Sequence, residues 1–457
     1  MTDIKYSPEP ARIGLAEKAA FGIVNIGNIP IQTLLNGFLM IFYTDMVGLN
    51  PAAIATMFLV MRVFDGINDP IMGFVIDHLP RTKMGRFRSY LLFGTVICCI
   101  NFILVWFGPV WVPVGKLAIA YITYLLLGVT FDIMDIPLNS MIPAMTDSER
   151  ERNSLSVVKG FCYQAGNTLF TMAAPLILAS AVNRLNGFYA LIFSSVIMVL
   201  VFTIIGVMGI KERIEPVNTD EKYKIKDIIP IITCTPVVVT LLTTLGFLIS
   251  MIQRAASGMY FFTYILDNRM DVFSLTSLVA LAVTLPCMAI TGILSNRFGK
   301  KSVFVTGIVI SGLGPLLRLF AVTNIPLIYI GTVLGGVGTG FFMTLSYGIC
   351  ADNVDYVEHT RGHRAEGALA AVNSFVAKAG MGIGGAIPGY VLAATGYVAN
   401  QPQTEAAKMG IIMNNILIPS IIVLIAALVF GLGYGINREK LSQITASLRE
   451  RRAAKAR

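Results

Sequence analysis

Asp65, Asn68 and Asp69 stand within five residues of one another, and Asp132 and Asp135 stand three apart farther along the chain. On a helix a spacing of four places Asp65 and Asp69 one above the other on a single face, and Asp132, at i−3, shares a face with Asp135. Two carboxylates held close where water is scarce cannot both ionise cheaply, so the Asp65/Asp69 pair favours a bound cation or a retained proton. These carboxylates and the Asn68 carbonyl are hard oxygen ligands of the kind Na⁺ takes. Gly66 and Pro70 loosen the helix between them, which can free backbone carbonyls as well. A plainer reading stays open: Arg62, one turn before Asp65, could simply neutralise it. Lys378 is the candidate countercharge.

The elements that must carry these groups cross a membrane. The chain has 457 residues, 55% hydrophobic and only 13% charged, about half the charge of a soluble domain. A soluble fold of that composition would expose large apolar patches, and disorder needs low hydrophobicity. The apolar runs are long and continuous, which excludes the short alternating strands of a membrane barrel. A bilayer core about 30 Å thick needs ~20 apolar residues of helix. Twelve such runs occur, near 19–43, 52–77, 89–107, 117–145, 157–180 and 187–210, then near 237–266, 272–295, 302–321, 325–351, 368–397 and 415–436. Asp65 lies thirteen residues into its run, about 20 Å of helix; Asp132, Asp135 and Lys378 lie fifteen, eighteen and ten into theirs. All four fall in the middle third. A charge at that depth costs ~2.5–3.5 kcal/mol even on a lenient scale, so such residues face the bundle interior and serve a function.

Twenty-six Lys and Arg lie at the ends and in alternate loops on one side, against Lys116, Arg184, Arg269 and Lys408 on the other. The positive-inside rule then predicts cytoplasmic termini and a cytoplasmic central loop. The expected organisation is an all-α, multi-pass protein of the inner cell membrane, with twelve transmembrane helices in two six-helix bundles. The bundles occupy 1–210 and 229–437, the middle loop 211–228, and a basic tail 438–457. That tail is read as a topology and lipid anchor rather than a nucleic-acid site. No signal peptide is expected, because the first eighteen residues are polar. The six cysteines show no CxxC spacing and are read as packing residues. Basic, glycine-bearing turns at Arg81–Arg88 and Asn296–Lys301 hold the same ordinal place in each half, the duplicated pattern of secondary transporters.

Several longer stretches add a resemblance. Residues 60–77 (Val-Met-Arg-Val-Phe-Asp-Gly-Ile-Asn-Asp-Pro-Ile-Met-Gly-Phe-Val-Ile-Asp) are followed by Met84-Gly-Arg-Phe-Arg88. With Phe42-Tyr-Thr-Asp45, Met134-Asp-Ile-Pro137, Ala351-Asp-Asn-Val-Asp-Tyr-Val-Glu358, Arg364-Ala-Glu-Gly367 and Lys378-Ala-Gly-Met-Gly-Ile-Gly-Gly385, they form an ordered set over nearly the whole chain. The set resembles the glycoside–pentoside–hexuronide:cation symporters of the major facilitator superfamily. The resemblance implies the major facilitator fold and uphill uptake of a sugar or sugar acid with H⁺, Na⁺ or Li⁺, by alternating access. It implies a site between the bundles, no cofactor beyond the coupling ion, and a chain that works as a monomer. It assigns the cation to Asp65, Asn68 and Asp69, the acid between sugar and cation to Asp135, and the eleventh-helix lysine to Lys378. Where many members carry a first-helix acid, this chain has Asn25 and Asn28. Where the best-known member has a tryptophan after the fourth-helix acid, it has Asn139, and Asp132 replaces a hydroxyl side chain there. The extra acid favours H⁺, with Na⁺ as an alternative. The expected substrate set is Asn25, Asn28, Asp135, Asn139, Arg254, Ser374 and Lys378; Asp132 and Asp135 join the cation set.

The remaining charges are read more plainly. Arg254 either grips the carboxylate of an acidic sugar or lines the outer vestibule. Arg318, near an outer helix end, is expected to snorkel, and Lys159, near the start of the fifth span, to gate or snorkel rather than touch substrate. Asp77, Arg86, Asp352, Asp355, Glu358 and Arg364 are expected to form charge pairs that close the inward gate. Trp106 and Trp111 are expected in the interfacial aromatic belt. The three histidines lack metal-ligand spacing beyond His359/His363, and no phosphate-binding loop follows a strand, so neither an enzyme nor an ATP-driven pump is expected. An uncoupled sugar facilitator, or a transporter of another small solute on the same scaffold, is the alternative.

Overall fold

A computed structural model describes residues 13–78, 80, 82, 84–214, 233–362 and 366–455, without the side chains of Pro70, Asp77, Glu149, Arg449 and 451–455. Among the described residues the chain is helical, and the only strand-like feature is a single bridge between Thr82 and Gly85. The principal helices are α1 (Leu15–Gly37), α2 (Pro51–His78), α3 (Phe87–Trp111), α4 (Lys116–Asn139), α5 (Glu149–Ser180) and α6 (Arg184–Gly209). They continue as α7 (Thr235–Tyr260), α8 (Met270–Phe298), α9 (Lys300–Leu316), α10 (Ile325–Arg361), α11 (Glu366–Ala394), α12 (Ile418–Gly433) and α13 (Arg438–Lys455).

Among the described residues nine helices are long and apolar enough to cross a membrane, ten if the bent pair Leu15–Gly37 and Leu39–Val47 counts as one span. The protein is therefore a multi-pass membrane protein. Neither α2 nor α5 is in that set. At ~1.5 Å per residue both are long enough to span, and both carry polar residues: Arg62, Asp65, Asn68 and Asp69 on α2, and Arg150, Glu151, Arg152 and Lys159 on α5.

The chain divides into two units, the first comprising residues 1–49 and 63–220, the second residues 50–62 and 221–457. In the first, α1 packs on α5 and α6, and α3 packs on α4 and α6. Its buried heart is aromatic: the Phe42 ring meets Trp106 at 5.0 Å and Phe188 at 4.8 Å, both edge-on. Trp106 is fully buried, so it belongs to this core and not to the interfacial belt expected from its depth; Trp111 is exposed. In the second unit α10 packs on α9 and α8, and α7 packs on α11 and α12. There Phe247 stacks on Phe342, which with Phe304, Phe430 and Tyr434 makes a continuous column.

Small residues set how closely these helices approach. At Gly338 on α10 an added methyl would collide with the Gly307 carbonyl oxygen and lie 2.5 Å from Ser311 Cβ on α9. Nothing lies within 4 Å of a methyl added at Gly335. Gly338→Ala should therefore destabilise the second unit by ~1–3 kcal/mol through overpacking, whereas Gly335→Ala should be neutral or stabilising by its better helix propensity. Thermal unfolding of the two purified variants checks this; equal midpoints would contradict the packing.

Candidate functional site

The acids of α4 sit on a locally weakened helix. Pro137 lacks the N–H that would bond the carbonyl of Ile133, so the backbone there is not held by a full ladder. Behind it α3 approaches closely, because Gly94 leaves room: a methyl at that position would lie 2.7 Å from the Ile133 carbonyl. That packing fixes the face on which Asp132, Asp135 and Asn139 stand.

Asp135 accepts a hydrogen bond from Asn28 Nδ2 of α1 at 3.0 Å and another from Asn139 Nδ2, one turn later, at 2.7 Å. Lys159 of α5 donates to Asn139 Oδ1, and its charge acts on the Asp135 carboxylate. Asp132 accepts from Asn68 Nδ2 of α2 at 2.7 Å, and lies within electrostatic reach of Asp65 and Asp135. Thr33 donates to Asn167 Oδ1 at 2.7 Å, fastening α1 to α5. Four helices of the first unit thus converge on two carboxylates. Asp65 and Asp69 are half-buried on α2.

The arrangement has chemical capacity left over. Asn28 Oδ1 is buried with no hydrogen-bond partner among the described residues, and each carboxylate oxygen has a second lone pair. Oxygen acceptors beside an ammonium suit a polyhydroxylated ligand. Carboxylates beside one another suit a cation or a proton.

Lys159 enters this group: the sequence places it near the start of the fifth apolar run, but α5 begins ten residues earlier, at Glu149. Its stem is long enough to reach Asn139, which is the C-terminal residue of α4. Asn25 does not enter; its Nδ2 is turned back onto the Phe21 carbonyl at 2.7 Å.

The other expected residues lie in the second unit. Arg62 lays its stem against Gly382 of α11, one turn beyond Lys378. Ser374, one turn before Lys378, lines a cavity of about 470 Å³ with Thr240, Cys350, Asn353 and Asn373. Asn353 donates to Thr240 Oγ1 at 2.8 Å and Asn373 to Cys350 Sγ at 3.2 Å, and the Oδ1 of each asparagine is buried with no hydrogen bond among the described residues. Neither asparagine was singled out from the sequence, where an uncharged amide in an apolar run gives little signal. Arg254 Nη1 donates to the Ser311 carbonyl and Nη2 to Ser420 Oγ, each at 3.3 Å, which places the group against α9 and α12. Arg318 does not snorkel. Its guanidinium lies over the Phe261 ring, 4.5 Å from the centroid.

Of the expected gate residues, Asp352 pairs with Lys300 at 2.7 Å, and Asp355 and Glu358 lie on the last turns of α10. Arg86 Nη2 donates to the Ile76 carbonyl at 3.1 Å. Arg364 and the Asp77 side chain lie outside the described residues. Glu212, which the sequence did not mark, accepts the backbone N–H groups of Arg86 and Arg88 at 2.8 and 2.6 Å, at the start of α3. A carboxylate there caps free N–H groups and complements the helix dipole. Nearby, Arg213 pairs with Glu17 at 2.7 Å, and that hydrogen-bonded carboxylate raises the guanidinium pKa above its ordinary value.

Comparison with known proteins covers nearly the whole chain. A family model described as MFS/sugar transport protein matches residues 20–438. The isoprimeverose transporter of Lactiplantibacillus pentosus is 33% identical over 397 residues, 85% of this chain and 82% of that protein. The glucuronide carrier protein homolog of Escherichia coli (strain K12) is 31% identical, over 91% of each chain. Among solved structures, the nucleoside transporter NupG has a TM-score of 0.60 at 10% identity, covering 92% of this chain and 99% of its own. A bacterial homolog of the lysosomal transporter Spinster has a TM-score of 0.63, also at 10% identity, covering 92% and 95%. Both structural likenesses bear on the fold alone.

Proposed function

The chain belongs to the MFS/sugar transport protein family, and from that premise we propose that it is a sugar:cation symporter working by alternating access. The observation that carries this reading is the convergence of Asn28, Asn68, Asn139 and Lys159 on Asp132 and Asp135, with Asp65 in electrostatic reach. Sugar hydroxyls bind Asp135, Asn28 and Asn139; the coupling ion binds among Asp65, Asn68, Asp69 and Asp132. The two sets share α4, so filling one changes the charge felt by the other. Lys378 and Ser374 contribute from the second unit. The substrate is a neutral glycoside or a hexuronide, the chemistries named for the two relatives above. A carboxylate on the sugar meets Lys159, the cation beside the acids. H⁺ supports transport, with Na⁺ as an alternative, because a clustered set of carboxylates can keep a proton where two full charges would repel. Twelve spans, cytoplasmic termini, an inner-membrane location and a monomeric working unit complete the proposal, with Arg86, Asp352, Asp355 and Glu358 closing the inward side.

The test is an ion-flux assay with intact cells in lightly buffered medium, across neutral and acidic sugars. Addition of the correct sugar should alkalinise the medium as protons enter with it. A strict Na⁺ requirement without alkalinisation would replace H⁺ by Na⁺. Downhill flux with no accumulation under either gradient would leave the uncoupled facilitator.

A further inference from the structure

Inside the second unit two arginines lie with no opposite charge beside them among the described residues. Arg254, on α7, gives its two Nη groups only to neutral oxygens, the Ser311 carbonyl and Ser420 Oγ. Arg318 stands in the 3₁₀ turn Leu317–Phe320 that follows α9. Its stem crosses α10 at Gly331, where an added methyl would lie 3.3 Å from Cγ and Cδ, and its guanidinium lies over the Phe261 ring. Three donors, Arg254 Nε and Arg318 Nε and Nη2, are buried and make no hydrogen bond among the described residues. No described carboxylate acts on either guanidinium; the charge that reaches Arg318 is that of Arg254.

A guanidinium does not relieve burial by losing its proton, as a lysine or histidine can. Two like charges that stay ionised away from water need an anion beside them. The unmet donors define its kind. All three are covered by protein, which excludes a sugar-sized ligand and leaves a compact ion. Arg318 Nε and Nη2 are neighbouring donors of one guanidinium and Arg254 Nε adds a third from another helix, so the acceptor must take N–H groups from two sides in a space closed by protein, which a small ion does with the least room. We propose that Arg254 and Arg318 together hold one compact monovalent anion of chloride size, tying α7 to the Leu317–Phe320 turn. The site is separate from the acids of the first unit, and its occupancy does not require that the chain be a symporter.

The experiment uses the purified full-length chain with sodium chloride, sodium bromide or sodium gluconate at equal ionic strength. Chloride and bromide should raise the thermal unfolding midpoint saturably, and gluconate should not. Radiolabelled chloride in equilibrium dialysis should approach one ion per chain, and Arg318→Met should abolish both effects. If that variant fails to fold, chloride binding by the wild-type chain decides alone. Equal midpoints in the three salts with no bound chloride would overturn the proposal. Displacement of bound chloride by glucuronate would overturn it differently, by showing that the arginines belong to the substrate site.

Discussion

Asp135→Ala should lower sugar uptake on the order of 100-fold, with the protein still present in the membrane. The carboxylate accepts from Asn28 and Asn139 and answers the charge of Lys159. Its removal costs any bound hydroxyl a charged hydrogen-bond partner and leaves an ammonium uncompensated, together a few kcal/mol, where each ~1.4 kcal/mol is tenfold. Counterflow of labelled sugar in vesicles measures the binding step without a gradient. Lys159→Ala in the same background separates the two losses, since the double variant should be less impaired than the sum of the singles. Counterflow within a few-fold of wild type in Asp135→Ala would remove this residue from sugar binding.

Asp65→Asn and Asp69→Asn should behave in the opposite manner, abolishing accumulation while sparing exchange. Asparagine keeps the volume and a carbonyl oxygen but not the charge or the titratable proton. With the ion site neutralised, the gradient has nothing to drive, yet the hydroxyl-binding residues on α1 and α4 are untouched. Steady-state accumulation should fall to the external concentration in both variants, and exchange should persist at a sizeable fraction of wild type. Concentrative uptake by both would place the coupling ion elsewhere.

What could be read in advance follows a physical divide. Depth along a helix is a matter of counting, so Asp132 and Asp135 were marked from their distance into an apolar run, and the structure brings Asn28, Asn68 and Asn139 onto them. Rotation about the helix axis relative to neighbours is not counted so easily. Arg254 could be placed at a level but not on a face, and packing on α9 and α12 turns it inward. Trp106 is the same case: its level suits a belt, and its direction puts it in the core. The contact of Lys159 with Asn139 depends on a third thing, the reach of a long side chain from inside α5 to the end of α4. Glu212 was invisible because its partners are backbone N–H groups, which every sequence contains.

The chain has only two tryptophans, and both stand on α3 in the first unit. Trp106 is fully buried among phenylalanines, its indole N–H without a hydrogen bond among the described residues, whereas Trp111 is 55% exposed. One chromophore therefore emits from a rigid apolar environment enclosed by protein, while the other stands on the protein surface at the last residue of its span. Intrinsic fluorescence has two components, and a change in the enclosed one registers a rearrangement of the first unit's core. The second unit contributes no indole signal of its own.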